Sequence, residues 1–294
     1  MPVVKVRTFN IGLMRLRIGG GTLFENPEMV EKRAPNMMQY LKHECRDSDV
    51  VCLQECYEDA HRRELKLHMD SHPHMACSFE KTFLNSGLVV MSKHPFVSVR
   101  RVPHESSCVY EKIFGDRAML VTKIGLDGTI ITVINAHLSA GAPVDTPIMN
   151  AMRRSQVADI NRQVRASTTP TLVVGDFNCS PTVGSECYES MIGVGWKDAW
   201  AETNGGRDGI TLDRDNALNR SKGGLLCTRS QRCDHIWYVG DEWRALGSSV
   251  FGDSPDGALS DHYGVAARLK LSVNKNKCRQ TPSRPSSSLR NSKG

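Results

Sequence analysis

The chain has no run of the ~18–20 consecutive apolar residues that a membrane-spanning helix requires. Its 10 cysteines include no Cys-x-x-Cys pair, and their scattered spacing is not that of a structural zinc site. The first residues, MPVVKVRTFNIG, lack the basic start and apolar block of a secretory signal. No segment repeats. Net charge is also missing from most of the chain. Six of the 38 Lys and Arg residues fall in 273–294, where there is no Asp or Glu, which leaves 32 basic against 32 acidic residues in 1–272. The formal charge of +6 therefore belongs to the end of the chain and is weak evidence for a nucleic-acid-binding body. These absences lead us to expect a folded, cytoplasmic protein with reduced, buried thiols.

What is present reads as alternating strands and helices. Apolar, β-branched runs punctuated by Gly, Asn and Asp predict strands near 3–9, 49–53, 87–92, 96–102, 118–124, 129–135, 171–175, 235–239 and 263–269. Helical patterns occupy about 26–44, 57–69, 150–165 and 184–192, the first following a Gly19-Gly20-Gly21 turn with Pro27 near its start. This order implies mixed sheets covered by helices. Residues 201–233 are polar and glycine-rich, longer than an ordinary connection, and such loops often carry function. The last 22 residues, 273–294, are rich in Ser, Pro and basic residues and too poor in apolar ones to offset the entropy of ordering. We divide the chain into a catalytic body, 1–272, and a disordered basic tail, 273–294.

Polar groups recur where strands begin or end. Asn10 follows the first strand, Gln54 and Glu55 the second, Asn135 and His137 lie in NAHLS, and Asp176 and Asn178 lie in GDFN. Asp234 precedes one late strand and Ser260-Asp261-His262 the last. Singly, each has an ordinary explanation: a solvated strand end, an Asx turn, or Asn10 capping the turn at Gly12. Together they are the contents of a preorganised site on one rim, built on rigid strands. Carboxylates and carboxamides without Cys/His clusters suit a hard divalent cation such as Mg²⁺ or Mn²⁺.

The ordered segments TFNIG, CLQEC, NAHLS, GDFN, RCDHI and SDHYG resemble the motifs of the endonuclease/exonuclease/phosphatase superfamily, the deoxyribonuclease-like metal-dependent phosphodiesterases. The resemblance implies an α/β fold: a four-layered sandwich of two packed mixed β-sheets flanked by helices, with the site at one sheet edge. SGLVVMSKHP (86–95) is similar to a strand shared across the superfamily. MRRSQVADI (152–160) and GITLDRDNALNR (209–220) resemble the helix and loop of the neutral sphingomyelinase branch, with Arg153, Gln156, Thr211, Asp213 and Asn216 as implied substrate-binding residues. The match has departures. His235 stands where that branch commonly has tyrosine, FGDRAML (114–120) replaces a Lys-Gly pair, and no aromatic-tipped hairpin is evident.

By the same resemblance Glu55 is the principal metal ligand, with Asn10 and Asp261 assisting. His262 is the candidate general base, oriented by Asp234, with Asp176 or a metal-bound hydroxide as competing assignments. Asn178 and His137 are implied phosphate donors, and His137 is also a candidate acid for the leaving group. Gln156 lies on the inward stripe of its helix with Met152 and Ile160, where it either contacts substrate or bonds a neighbouring loop. The leading expectation is Mg²⁺-dependent, phospholipase C-type cleavage of sphingomyelin or a related phospholipid. The alternatives are a nuclease or abasic-site DNA phosphodiesterase, with nucleic acid as the substrate, and a non-catalytic adaptor on the same fold. The tail is either a solvated extension or a peripheral contact with anionic lipid.

Overall fold

The computed structural model describes residues 1–78, 85–107, 117–140, 146–183, 185–221, 227, 229–252 and 257–272. The basic tail assigned to 273–294 lies outside the described residues, as do Cys108 and Cys278. Two six-stranded mixed sheets pack face to face. The first runs β13 (Trp243–Phe251), β14 (Gly264–Leu271), β1 (Val3–Asn10), β4 (Val50–Gln54), β6 (Val89–Ser92), β5 (His74–Cys77). The second runs β11 (Trp196–Asp198), β12 (Asp234–Val239), β10 (Thr171–Asp176), β9 (Thr129–His137), β8 (Ala118–Leu126), β7 (Phe96–Pro103). Every neighbouring pair is antiparallel except β1/β4 and β9/β10, one parallel pair near the middle of each sheet.

Strand alternation builds three apolar layers. Val4 and Val6 of β1, Val50 and Cys52 of β4, Val133 of β9, Leu172 and Val174 of β10 and Ile236 of β12 meet between the sheets. The opposite faces of β1, β4 and β6 pack Phe9, Val51, Leu53 and Met91 against α1 (Val30–Glu44) and α2 (Asp59–His68) through Met37, Met38, Leu41 and Leu65. The outer face of the second sheet packs Ile134, Val173 and Trp237 against α3 (Pro147–Ala166) and α4 (Ser185–Gly193). Helix, sheet, sheet, helix is the expected four-layered sandwich. Two short helices, α5 (Ala199–Asn204) and α6 (Ala217–Ser221), break the long polar stretch. No helix among the described residues is long and apolar enough to cross a membrane, and every described cysteine is a buried free thiol.

Several expectations need correction. The first helix begins at Val30, because 14–26 forms a hairpin, β2 (Met14–Ile18) and β3 (Gly21–Asn26), that the Gly19-Gly20-Gly21 turn serves. That hairpin leaves Leu23 and Phe24 of β3 exposed, but its tip is Gly19-Gly20 and carries no aromatic. Strands β5, β11 and β13, at sheet edges, were not visible as patterns; α3 starts at Pro147, where Thr146 caps it by accepting from Met149 N.

Below the rim, a polar tie crosses the apolar interlayer. Gln54 Nε2 donates to Asn135 Oδ1 at 2.7 Å, and Asn135 Nδ2 donates to the carbonyls of Leu53 and Val89, each at 3.0 Å. All are buried, so each satisfied amide replaces a hydration shell it lost.

Candidate active site

The carboxyl ends of the two parallel pairs supply Asn10 and Glu55 from one sheet, His137 and Asp176 from the other. Asp234, at the start of antiparallel β12, and Asp261-His262, before β14, close the same rim. Period-two alternation carries Asn10, His137, Asp176 and Asp234 inward, because they continue the register of the interlayer residues Val6, Val133, Val174 and Ile236. Glu55 would by alternation follow Val51 and Leu53 toward the helices. A left-handed backbone, φ 59, re-aims it at the rim. Asn178 is also left-handed, φ 49. Two glycines make room: a Cβ at Gly12 would sit 2.9 Å from Asp261 Oδ1, and one at Gly87 3.2 Å from the Glu55 Cα.

Asn10 is the hub. Its Nδ2 donates to Glu55 Oε1 at 3.2 Å and to Asp176 Oδ2 at 3.0 Å, while its oxygen accepts from Gly12 N at 3.1 Å. It therefore also caps the Gly12 turn, as its ordinary explanation has it. His262 Nδ1 donates to Asp234 Oδ2 at 2.9 Å, which leaves Nε2 as the ring's working nitrogen, 3.8 Å from Asp176 Oδ2. His137 Nε2 lies 3.4 Å from the same Asp176 oxygen, and its buried Nδ1 has no partner among the described residues. Asn178 donates its backbone N–H to Asp176 Oδ1 at 2.9 Å and its amide to Leu138 O at 3.0 Å.

Electrostatics follow from crowding. Burial first, and Asp261 next, push Glu55 up to about 7. Burial and Asp234 push Asp176 up to about 6. Burial alone would pull His262 down, but Asp234, Asp176 and Asp261 outweigh it and hold the ring well above the ordinary histidine range. Burial, Arg117 and His262 hold His137 well below that range, hence neutral. A neutral His137 can donate one ring N–H to a phosphate oxygen.

Four carboxylates with one imidazolium leave an excess of negative charge at a buried rim. Glu55 and Asp261 form an all-oxygen set suited to a hard divalent cation, and the raised Glu55 shows the charge such a cation would offset. A second group, Asp176, Asp234 and His262, brings its ligand atoms within 4.8 Å of one another. There the imidazole is already committed to Asp234, an arrangement fitted to proton transfer.

The implied substrate-binding residues are placed differently. Arg153 Nε donates to Ser139 O at 2.9 Å. Gln156 Oε1 accepts from Ser139 N at 2.9 Å, and its Nε2 donates to Ser139 Oγ and Ser106 O at 2.7 and 2.8 Å. Both hold the loop after His137 from behind, which is the bland reading of Gln156. Thr211 Oγ1 accepts from the backbone N–H groups of Cys233 and Asp234 at 3.0 and 3.1 Å. Asp213 accepts from Ser230 Oγ at 2.6 Å and Asp215 N at 3.1 Å, bracing its own turn. Asn216 Nδ2 donates to Ser260 O at 3.0 Å. The 209–220 loop is thus a clamp on the segments bearing Asp234 and His262.

Asn219 and Arg33 were not singled out in the sequence, and Ser260 stood out only as part of the Ser260-Asp261-His262 segment. Asn219 Nδ2 donates to both Asp213 O and Asp261 O, at 2.8 and 2.9 Å. Ser260 Oγ donates to Asn10 O at 2.7 Å and accepts from His262 N at 3.2 Å, joining the first and last motifs. Buried Arg33 donates to the carbonyls of Gly12 and Leu259, each at 2.6 Å, placing a cation behind Asp261 and Glu55. Asn219 left a signal, as the fourth polar residue of the Thr-x-Asp-x-x-Asn-x-x-Asn spacing, and Ser260 one as the first residue of SDHYG. His235, the departure from the branch pattern, faces away from the rim into a buried group with Arg232, Asp198 and the Cys179 carbonyl.

A family model described as the endonuclease/exonuclease/phosphatase family matches residues 8–262. Among solved structures, sphingomyelinase C from Streptomyces griseocarneus is similar at 22% identity and a TM-score of 0.72, covering 91% of this chain and 99% of that one. A beta toxin mutant from Staphylococcus aureus with bound magnesium ions is similar at 14% identity and 0.72, covering 90% and 99%. D. rerio TDP2 complexed with a single-strand DNA product is similar at 16% identity and 0.68, covering 92% and 99%. At these identities the likeness is one of fold. No curated protein matches the chain in sequence.

Proposed function

The chain belongs to the endonuclease/exonuclease/phosphatase family, whose members are metal-dependent phosphodiesterases, and on that footing we propose that it is a Mg²⁺-dependent phospholipase C-type enzyme acting on sphingomyelin or a related phospholipid. The observation that carries the catalytic part is the convergence of Glu55, Asp176, Asp234 and Asp261 on His262 at one rim. The lipid part is supported by the sphingomyelinase-like 152–160 and 209–220 segments and by a body with as many acidic as basic residues.

Glu55 and Asp261 would hold the ion, while the Asn10 amide braces Glu55 through Nδ2 and its oxygen accepts from Gly12 N. A divalent cation held there would supply charge stabilisation to the phosphoryl oxygens and would offset part of the carboxylate charge around His262. Asp234 fixes the ring so that Nε2 faces the reaction space, and His262 then accepts the proton of the attacking water. Asp176, beside the same nitrogen, orients that water. Asn178 and neutral His137 donate hydrogen bonds to phosphate oxygens.

The test is a panel of sphingomyelin, a phosphoinositide, a nucleotide, supercoiled DNA and abasic-site DNA, each with Mg²⁺ and with EDTA. Mg²⁺-dependent release of phosphocholine supports the proposal. Cleavage confined to the DNA substrates, and abolished in Glu55→Ala, would replace it with the nuclease reading.

A further inference from the structure

Helices α1 and α2 cover only part of the first sheet: among the described residues their apolar layer reaches β13 at Phe251, and no other residue of β13 or β14 joins it. The register places Lys5 directly opposite Arg268, and Arg244 directly opposite Lys270. Directly opposite residues of an antiparallel pair point to the same face. Because Val4, Val6, Ala267 and Leu269 turn to the interlayer, Lys5, Arg7, Arg244, Arg268 and Lys270 all share the outer face. Like charges in such cross-strand pairs are destabilising. Acidic partners lie only at the α1 border, where Asp47 pairs with Lys5 and Arg7, and Glu44 with Arg7. Arg244, Arg268 and Lys270 have no acidic partner among the described residues. A body balanced overall thus concentrates unpaired positive charge on one uncovered sheet face.

The surface has a shape as well as a charge. A shallow trough of about 550 Å³ runs between Lys5, Arg7 and Arg268 over the small residues Gly247, Ser249 and Ala266, with Asp47, paired to Lys5 and Arg7, as its one carboxylate among the described residues. Aliphatic groups border it: Val3, 40% exposed, lies opposite Lys270, and Leu246, 41% exposed, sits at the bulge in β13. The aromatics of this face among the described residues are Phe9, fully buried, and Phe251, held under Arg7 and against Phe9, so neither ring is offered for base stacking. From Leu271, beside Lys270, the chain continues into 273–294, which adds six basic residues and no acidic one.

We propose that the part of the outer face of β13, β14 and β1 left uncovered by helices among the described residues is a docking surface for an anionic lipid bilayer, with Arg244, Arg268 and Lys270 as its principal contacts. Unpaired cations next to exposed aliphatic side chains match a negatively charged headgroup layer, which attracts each basic residue near it. The cations sit toward the end of the strands opposite the catalytic rim. The surface holds the protein at the bilayer, and its test is separate from that of the proposed activity.

The experiment is sedimentation of the full chain with vesicles of phosphatidylcholine alone and of phosphatidylcholine with phosphatidylserine. The wild type is expected to bind only the anionic vesicles, and less as salt rises. The triple variant Arg244→Ala/Arg268→Ala/Lys270→Ala should need on the order of 100-fold more lipid for half-binding, about fivefold per charge removed. Arg244→Lys/Arg268→Lys should bind as the wild type does. Because Arg268→Gln relieves a like-charge pair, its melting temperature should be unchanged or higher, and it should lose part of the binding. Equal binding by the triple variant and the wild type would overturn the proposal, as would no wild-type binding to anionic vesicles. So would binding to duplex DNA, but not vesicles, that the triple variant loses.

Discussion

Asn10 and Asp176 belong to different sheets, yet Asn10 Nδ2 donates to Asp176 Oδ2 at 3.0 Å. The same amide group reaches Glu55, so one side chain sets the spacing of the two carboxylates whose charge most disfavours their own ionisation.

Glu55 should weaken the metal-free protein and strengthen the metal-bound one. Its folded pKa, about 7 against an ordinary 4.5, means that the folded state holds the proton more tightly. The resulting destabilisation is absent below the lower value, grows between the two and is complete above the upper. In EDTA at mildly alkaline pH, Glu55→Gln is expected to melt at or above the wild-type temperature. Added Mg²⁺ should raise the wild type, by about 2.7 kcal/mol at 100 times the dissociation constant, and leave the variant unmoved. Thermal melts with and without Mg²⁺ check both signs.

His262 and Asp234 should behave as one unit. His262→Ala and Asp234→Asn are each expected to lower turnover of a phosphodiester by about 10²–10⁴, and the double variant little further. Additive losses in the double-mutant cycle would separate the pair and assign the base to Asp176.

Thr211 acts on Asp234 through the backbone. Thr211→Val keeps the shape and strands two buried N–H groups, a penalty of about 1–3 kcal/mol each, with a fall in turnover from the displaced Asp234. Thr211→Ser should restore both. Denaturation and steady-state rates on the three proteins decide whether the loop clamps or binds, since a substrate contact would raise KM without the stability loss.

His72 lies far from the rim and gives the fold an acid limit. Burial pushes it down to about 4 from 6.5, with Nε2 donating to Ser48 O at 2.9 Å. The unfolded chain binds the proton first, so stability is lost as pH falls through that window. Denaturant midpoints between pH ~7 and ~4.5 should drop by about 2–3 kcal/mol from this group, and His72→Gln should flatten that slope.

Gly175 carries the Asp176 turn at φ 138, and a Cβ there would lie 1.9 Å from the Ala136 carbonyl oxygen. Gly175→Ala is expected to give no folded protein. Gly128→Ala, left-handed but in open space, should cost only about 1–3 kcal/mol. Soluble yield and melting temperature distinguish them.

The strands under the rim were legible because the interlayer needs β-branched residues at alternate positions, and the polar residue ending each run stands out against that period. Edge strands were not: β13 carries Arg244, Gly247, Ser248 and Ser249 within nine residues, a composition that only its pairing with β14 makes a strand. The rim residues were legible for the same reason as the strands. The contacts of Arg33 and Ser260 were not, since their partners Leu259 and Asn10 lie 226 and 250 positions away. The 209–220 pattern was visible, but spacing alone does not say whether polar side chains face a ligand or a neighbouring backbone.

The bridge from Gln54 to Asn135 has a mechanical consequence. One residue along a strand is about 3.3 Å, so a slip of either sheet by a single step would pull that bridge apart and part Asn10 from Asp176 as well. The buried amides therefore work as a locating pin, and the two halves of the rim meet in one alignment only. Anything that loosens the pin while sparing the apolar layers would leave a protein that is folded by every spectroscopic measure and misaligned where it matters.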